Sequence, residues 1–206
     1  FDSSEYVKDG LLPLTEWLGP SPWEDRMIEI VDAVLDHAEI VTPAGRLPST
    51  NQEVGGELMQ ILCRLYWKTG NPRYREFALR YADYFLFHVR PIEQDLLTLD
   101  YHGCEFIGGL SEVYLLAART SPDDHSRFKQ PLYQTLDRIL EIGRNENGLF
   151  YMHVNPLTGD VVKDELTDNW GYDYNAYLTV AMVDDHEPYR QAVRHALENV
   201  HRHTGY

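Results

Sequence analysis

The chain has 206 residues, 43% hydrophobic and 25% charged, which is typical of a globular protein with a buried core. Eighteen Lys and Arg against 33 Asp and Glu give a formal net charge of -15, which repels phosphate backbones and anionic lipids. No apolar run approaches the ~18 residues of a membrane span. We therefore expect no nucleic-acid partner and no membrane. The first residues lack an initiator Met and a signal-peptide pattern, which indicates a trimmed chain and leaves the compartment undetermined.

Apolar residues at helical spacing predict a mainly helical chain. In the first predicted helix, for example, Met27, Ile30, Val31, Val34 and Leu35 share one face. The predicted helices cover 22–40, 53–68, 72–89, 105–119, 127–143, 169–183 and 188–203. Strand is expected only within 149–162, where two short apolar runs flank turn-forming residues and predict a small β-hairpin.

The predicted helices alternate between two kinds. A helix with one charged face is followed by a long loop, and a broadly apolar helix is followed by a tight turn such as Thr69-Gly70-Asn71-Pro72. This alternation indicates a degenerate repeat of antiparallel helical hairpins, in which each hairpin buries its face against its neighbours. All the long loops then emerge at one end, where the apolar helices begin.

Two sequence features carry a family resemblance. Thr69-Gly70-Asn71-Pro72-Arg73-Tyr74 opens a charged-face helix, and Gly148-Leu149-Phe150-Tyr151 leads to Asp168-Asn169-Trp170-Gly171-Tyr172-Asp173, which opens an apolar one. With the alternation, these features resemble the six-hairpin, or (α/α)-toroid, carbohydrate-active enzymes: glycoside hydrolases, polysaccharide lyases and sugar epimerases. The resemblance implies an all-α fold of antiparallel hairpins with a small β-hairpin insertion.

The number of hairpins departs from the family pattern. The chain provides three complete outer and inner helix pairs and a fourth outer helix, whereas a closed toroid has six pairs. We therefore expect residues 1–206 to form a single helical-hairpin domain that is an arc of a larger toroid. Its exposed flanks should be apolar, and either the remainder of the toroid or self-association would cover them.

The resemblance also implies where chemistry takes place. Members of this superfamily place the active site at the N-terminal ends of the inner helices, so an oligosaccharide or polysaccharide substrate is expected there. Glu105 and Asp168 are the predicted catalytic pair, since glycoside hydrolysis needs one protonated and one ionised carboxyl group. The predicted substrate-binding residues are Asn51, Tyr101, His102, Asp164, Trp170, Tyr172 and Asp173.

Other interpretations of these residues stay open. Asp168 or Asn169 is a suitable helix N-cap, and Glu53 and Glu105 can simply complement a helix dipole. Tyr101 and His102 could exchange a substrate proton in a polysaccharide lyase, assisted by Asn51. A non-catalytic helical-repeat module that presents its loops to a partner protein is a further alternative.

Other sites find little support in the sequence. Cys63 and Cys104 lie in apolar patterns without a CxxC spacing, so both are interpreted as buried free thiols. No established metalloprotease, nucleotide-binding or hydrolase-elbow motif is present, and Asp164, Glu165 and Asp168 lack EF-hand spacing. We therefore predict no cofactor and no metal ligand.

Glycines recur near the starts of the inner helices, at 55–56, 108–109 and 171, which favours close helix approach there.

Overall fold

The computed structural model describes residues 3–203, which form a mainly helical fold with two small antiparallel sheets. The helices are α1 (Ser3–Glu5), α2 (Leu12–Leu18), α3 (Pro22–Asp36), α4 (Gln52–Thr69), α5 (Pro72–Asp83), α6 (Gly103–Thr120), α7 (Pro122–Ile142), α8 (Trp170–Asp184) and α9 (Glu187–Asn199). Residues Tyr6–Leu11 and Tyr84–Val89 are π-helical, and Pro91–Glu93 and Val200–His203 are 3₁₀ turns. Within the described range, no helix is long and apolar enough to cross a membrane.

The predicted antiparallel hairpins are confirmed. The α4–α5 turn illustrates why they form: Gly70 ends α4 in the left-handed conformation, and the Asn71 side chain caps the first turn of α5 by accepting from the Arg73 backbone N–H. Pro72 then occupies the first helical position, where its missing N–H costs nothing. The α6–α7 and α8–α9 pairs are joined by equally short connections.

Helices α4, α6 and α8 pack side by side as a central layer, with α6 in the middle. These helices carry the most buried apolar residues, as their broad apolar arcs predict. Two glycines bring α4 and α6 close together: a Cβ on Gly56 would lie 2.4 Å from the Glu105 carbonyl oxygen, and one on Gly109 would lie 2.4 Å from the Gly56 carbonyl oxygen. The expected close approach is therefore present between these two helices. It is absent at Gly171, where a Cβ would meet nothing within 4 Å.

Strands occur beyond the predicted 149–162 region, so that limit was wrong. A three-stranded sheet has the order β3 (Leu97–Thr98), β4 (Tyr151–Val154), β5 (Val161–Leu166), and the predicted hairpin forms its β4–β5 part. A second hairpin pairs β1 (Ile40–Thr42) with β2 (Gly45–Leu47). Its strands have three residues each, which is too short for alternation to show in the sequence.

Two predicted helix boundaries were also wrong. The predicted helix 22–40 ends at Asp36, because the β-branched residues that follow enter strand β1. The predicted helix 127–143 begins at Pro122. Pro at the first position and two aspartates in the first turn are favourable at a helix start, which explains the earlier beginning.

Residues 3–18 form a helical segment that the sequence did not predict. This N-terminal segment, comprising α1, the π-helical turn and α2, lies along α4. Ser4 donates a hydrogen bond to Glu57, Arg64 pairs with Glu16, and the Lys68 amino group lies 3.4 Å from the Thr15 carbonyl oxygen. The segment therefore follows α4 from its N-terminal part to its C-terminal end.

Candidate functional site

The candidate site lies where α4, α6 and α8 begin, an end of the central layer that we call the rim. The His102 Nε2 atom, just before α6, lies 4.0 Å from the Glu53 Oε1 atom in the first turn of α4. The Asn169 side chain, just before α8, donates a hydrogen bond to the Tyr101 carbonyl oxygen. These contacts bring the three helix starts together, so Glu53, Glu105 and Asp168 lie at the same end, as expected.

Glu105 lies beneath the surface of the rim. It is 6% exposed and forms an ion pair with Lys8 of the N-terminal segment. The Gln60 Nε2 atom donates to Glu105 Oε2 at 2.6 Å. Burial alone would lower the pKa of Lys8, but the hydrogen bond and charge of Glu105, with a contribution from Asp9, outweigh this and raise it. Lys8 therefore covers the carboxylate that the sequence predicts to be catalytic.

Asp173, in the first turn of α8, is fully buried. Neither of its carboxyl oxygens has a hydrogen-bond partner among the described residues. Burial raises the pKa of Asp173 well above its ordinary range, and the charges of Glu105 and Asp100 add to this. Asp173 is therefore a buried carboxyl group close to Glu105, with its protonated form favoured, rather than a surface residue ready to contact substrate.

Asp100 and His153 connect the loop before α6 to strand β4. The His153 Nε2 atom lies 3.1 Å from the Asp100 Oδ1 atom, and Asp100 is 1% exposed. The other Asp100 oxygen has no hydrogen-bond partner in the described part of the chain. This pair therefore belongs to the buried acidic cluster formed with Asp173 and Glu105.

The accessible part of the rim is a depression at the start of α8. It has a volume of about 420 Å³ and is lined by Asp168, Trp170, Gly171, Tyr172 and Asn175. Asp168 is exposed, and the Tyr172 ring is 62% exposed. This surface combines aromatic rings with a carboxylate and an amide.

Tyr101 lies on the neighbouring loop and is 72% exposed. Its backbone has a φ of +49°, in the left-handed region that non-glycine residues seldom adopt. The hydrogen bond from Asn169 to its carbonyl oxygen ties this loop to the start of α8. Tyr101 therefore extends the aromatic surface of the rim from α8 towards α6.

The remaining predicted site residues have different surroundings. The Asn51 side chain accepts from the Val54 backbone N–H at 3.1 Å and so caps α4. Asp164 is exposed on strand β5. Asn169, not Asp168, occupies the N-cap position of α8, and its side chain makes no cap hydrogen bond. The capping interpretation of Asp168 was therefore wrong.

Sequence reasoning missed Lys8, Glu57 and Gln60. Glu57 follows Glu53 by one helical turn, and a charged residue within an otherwise apolar stretch was a usable signal. Lys8 gave no signal, because its burial depends on a partner far along the chain.

A larger apolar groove of about 490 Å³ lies between α3 and α4. Its lining includes Ile30, Val34, Val54 and Leu58, with His37 and Ser49 as polar members. No carboxylate lines it. The mostly apolar residues that line this groove are better suited to packing against another apolar surface than to acid–base chemistry.

Comparison with known proteins does not assign the chain to a family: no family model matches the sequence, and no curated protein gives a significant match.

Proposed function

We propose that this chain is a carbohydrate-active protein that binds an oligosaccharide at the rim. The observation that carries the proposal is the depression beside α8, where the Trp170 and Tyr172 side chains accompany Asp168 and Asn175. Aromatic rings offer flat apolar faces on which sugar C–H groups can stack. Carboxylate and amide groups at fixed positions orient a polar ligand and provide specificity.

The proposed architecture is an arc of an (α/α) toroid. Its support is the side-by-side packing of α4, α6 and α8, with the second helix of each hairpin reached through a tight turn. The apolar groove lies between α3 and α4, beside the α4–α5 hairpin, where a further hairpin could pack.

The proposed reaction is hydrolysis of a glycosidic bond by Asp168 and Glu105. Asp168 is exposed beside the depression, whereas Glu105 is buried and paired with Lys8. Two carboxyl groups in such different surroundings can divide the roles of acid and base, or of acid and nucleophile. Lys8 covers Glu105, so this chemistry requires the Lys8 side chain to withdraw when substrate binds.

Titration calorimetry with a panel of neutral and acidic oligosaccharides tests the binding proposal. We expect at least one sugar to bind the wild type, and Trp170→Ala and Tyr172→Ala to weaken it at least ~10-fold by removing stacking area. Trp67→Ala is the control, because Trp67 is half-exposed on the last turns of α4, away from the rim. Equal weakening by Trp67→Ala, or no binding of any sugar, would contradict the proposal.

Turnover of the sugar that binds tests hydrolysis separately. Asp168→Asn and Glu105→Gln should each lower the rate at least ~100-fold, given what a positioned acid or base contributes. Binding without turnover in the wild type would instead indicate a non-catalytic sugar-binding module.

A further inference from the structure

Three potential metal ligands meet at the rim in a group that the sequence did not predict. Glu53, Glu57 and His102 each offer one ligand atom, and these atoms all lie within 4.8 Å of one another. Glu53 and Glu57 are one turn apart and so lie on the same face of α4. His102 approaches from the residue that immediately precedes α6. Two separate elements therefore supply the group.

Glu57 provides an independent sign that a ligand is missing. Its side chain is 2% exposed, and its Oε1 atom has no hydrogen-bond partner among the residues the structure describes. The other oxygen, Oε2, accepts a hydrogen bond from the Ser4 hydroxyl. A buried carboxylate oxygen without a partner is costly, and binding a cation removes that cost.

The charges around this group also favour a cation. Lys8 is already paired with Glu105 and Asp9. The carboxylates at this point of the rim therefore exceed the positive charge that faces them.

We propose that Glu53, Glu57 and His102 bind a divalent transition-metal cation, for which Zn²⁺ is the best match. One imidazole nitrogen and two carboxylate oxygens make up a ligand set that Zn²⁺ accepts, and three protein ligands leave a coordination position open for water or substrate. Ligand atoms around tetrahedral Zn²⁺ are about 3.4 Å apart, given bonds of about 2.1 Å. The 4.0 Å between His102 Nε2 and Glu53 Oε1 would close with a small side-chain movement.

The site is independent of the proposed sugar chemistry, because none of its ligands lines the depression beside α8. A cation here would lie next to the buried Glu105 cluster and would add positive charge to the rim. Its open position would let it polarise an oxygen of a bound molecule.

Calorimetric titration of the chelator-treated chain with ZnCl₂ tests the proposal. We expect one ion to bind per chain, with affinity at least ~10-fold weaker in Glu57→Gln and His102→Gln, each of which removes a ligand. His88→Gln is the matched control, because His88 also lies beside a carboxylate, 3.7 Å from Asp83, but outside the group. The control should bind Zn²⁺ as the wild type does. X-ray absorption at the zinc edge should show nitrogen and oxygen ligands at about 2.0–2.2 Å.

Glu57 is buried, so circular dichroism must show that Glu57→Gln folds. Should it fail to fold, Glu53→Gln replaces it, since the Glu53 side chain is 46% exposed and tolerates the change. Wild-type affinity in both His102→Gln and the glutamate variant would overturn the proposal. So would an equal loss in His88→Gln, or no binding to the wild type at millimolar Zn²⁺.

Discussion

The Lys8 ammonium group and the Glu105 carboxylate form an ion pair in which both side chains are less than a tenth exposed. The pair joins the N-terminal segment to the first turn of α6. Because an isolated charge inside a protein is very unfavourable, each partner depends on the other for its burial.

Lys8→Met should therefore lower the free energy of unfolding by about 3–5 kcal/mol, the usual effect of removing one partner of a buried pair. Urea unfolding at pH 7 measures it. The double variant Lys8→Met with Glu105→Leu should lose less stability than Lys8→Met alone, because it leaves no unpaired buried charge. Arg26→Met is the control: Arg26 and Glu29 form an exposed pair, and its loss should cost under ~1 kcal/mol. A small effect of Lys8→Met, equal to that of the control, would mean that the pair is solvated.

Gly56→Ala should destabilise the α4–α6 contact by about 1–3 kcal/mol, because the added methyl group would meet the backbone of Glu105 at 2.4 Å. Thermal unfolding measures the change. Gly171→Ala is the matched control in the first turn of α8, where nothing lies within 4 Å. There alanine's better helix propensity should leave stability unchanged or raise it by up to ~1 kcal/mol. Equal effects of the two variants would contradict the close packing.

The buried Asp173 gives stability a definite pH dependence. Its pKa is higher in the folded chain than in the unfolded chain, so between its ordinary pKa of 3.8 and the raised value the folded state binds more protons. The free energy of unfolding therefore falls as pH rises through this window, by up to ~1.4 kcal/mol per pH unit. Asp173→Asn should remove this fall and be more stable than the wild type at high pH. Asp164→Asn, on an exposed residue of β5, should leave the pH profile unchanged.

Asp184 should have the opposite pH dependence. It accepts hydrogen bonds from the Tyr114 and Tyr133 hydroxyls at 2.7 and 2.8 Å and lies 3.0 Å from the Lys129 amino group. Burial alone would raise the pKa of Asp184, but these hydrogen bonds outweigh it and lower the pKa. The stability it contributes is present above its ordinary pKa and is lost as pH falls through the lowered one.

Asp184→Ala should therefore cost at least ~2 kcal/mol at pH 7, because two tyrosine hydroxyls lose a charged acceptor. Urea unfolding at pH 7 and in acid checks this, and the cost should shrink in acid. Glu198→Ala, on the exposed face of α9, serves as control and should stay within about 0.5 kcal/mol of wild type. A cost that is the same at both pH values would contradict the predicted pKa direction.

The helical spacing of apolar residues was enough to predict the helices that have long apolar faces. The regular spacing of Leu58, Ile61, Leu62 and Leu65 identified α4, since a helix of five turns repeats its pattern often enough to be recognised. The β1–β2 hairpin has no such repetition. The N-terminal segment contains Gly10 and a π-helical turn, and its buried Lys8 contradicts the usual exposure of lysine.

The candidate site was predictable in position but not in detail. Helix starts joined by long loops must meet at one end, which is why Glu53, His102 and Asp168 could be assigned to a common rim. Which carboxylates are buried depends on side chains from distant segments: Lys8 covers Glu105, and the interior around α8 encloses Asp173. The pattern of residues along the chain does not indicate these contacts between distant segments.

The order of packing in the central layer has a consequence for local unfolding. Helix α6 is supported on both sides, by α4 and by α8, and the N-terminal segment supports α4 along its length. In such a row each hairpin depends mainly on its neighbours, so opening can begin at one end without disrupting the middle. Amide hydrogens of α6 should therefore exchange with solvent most slowly, and those of α9 soonest.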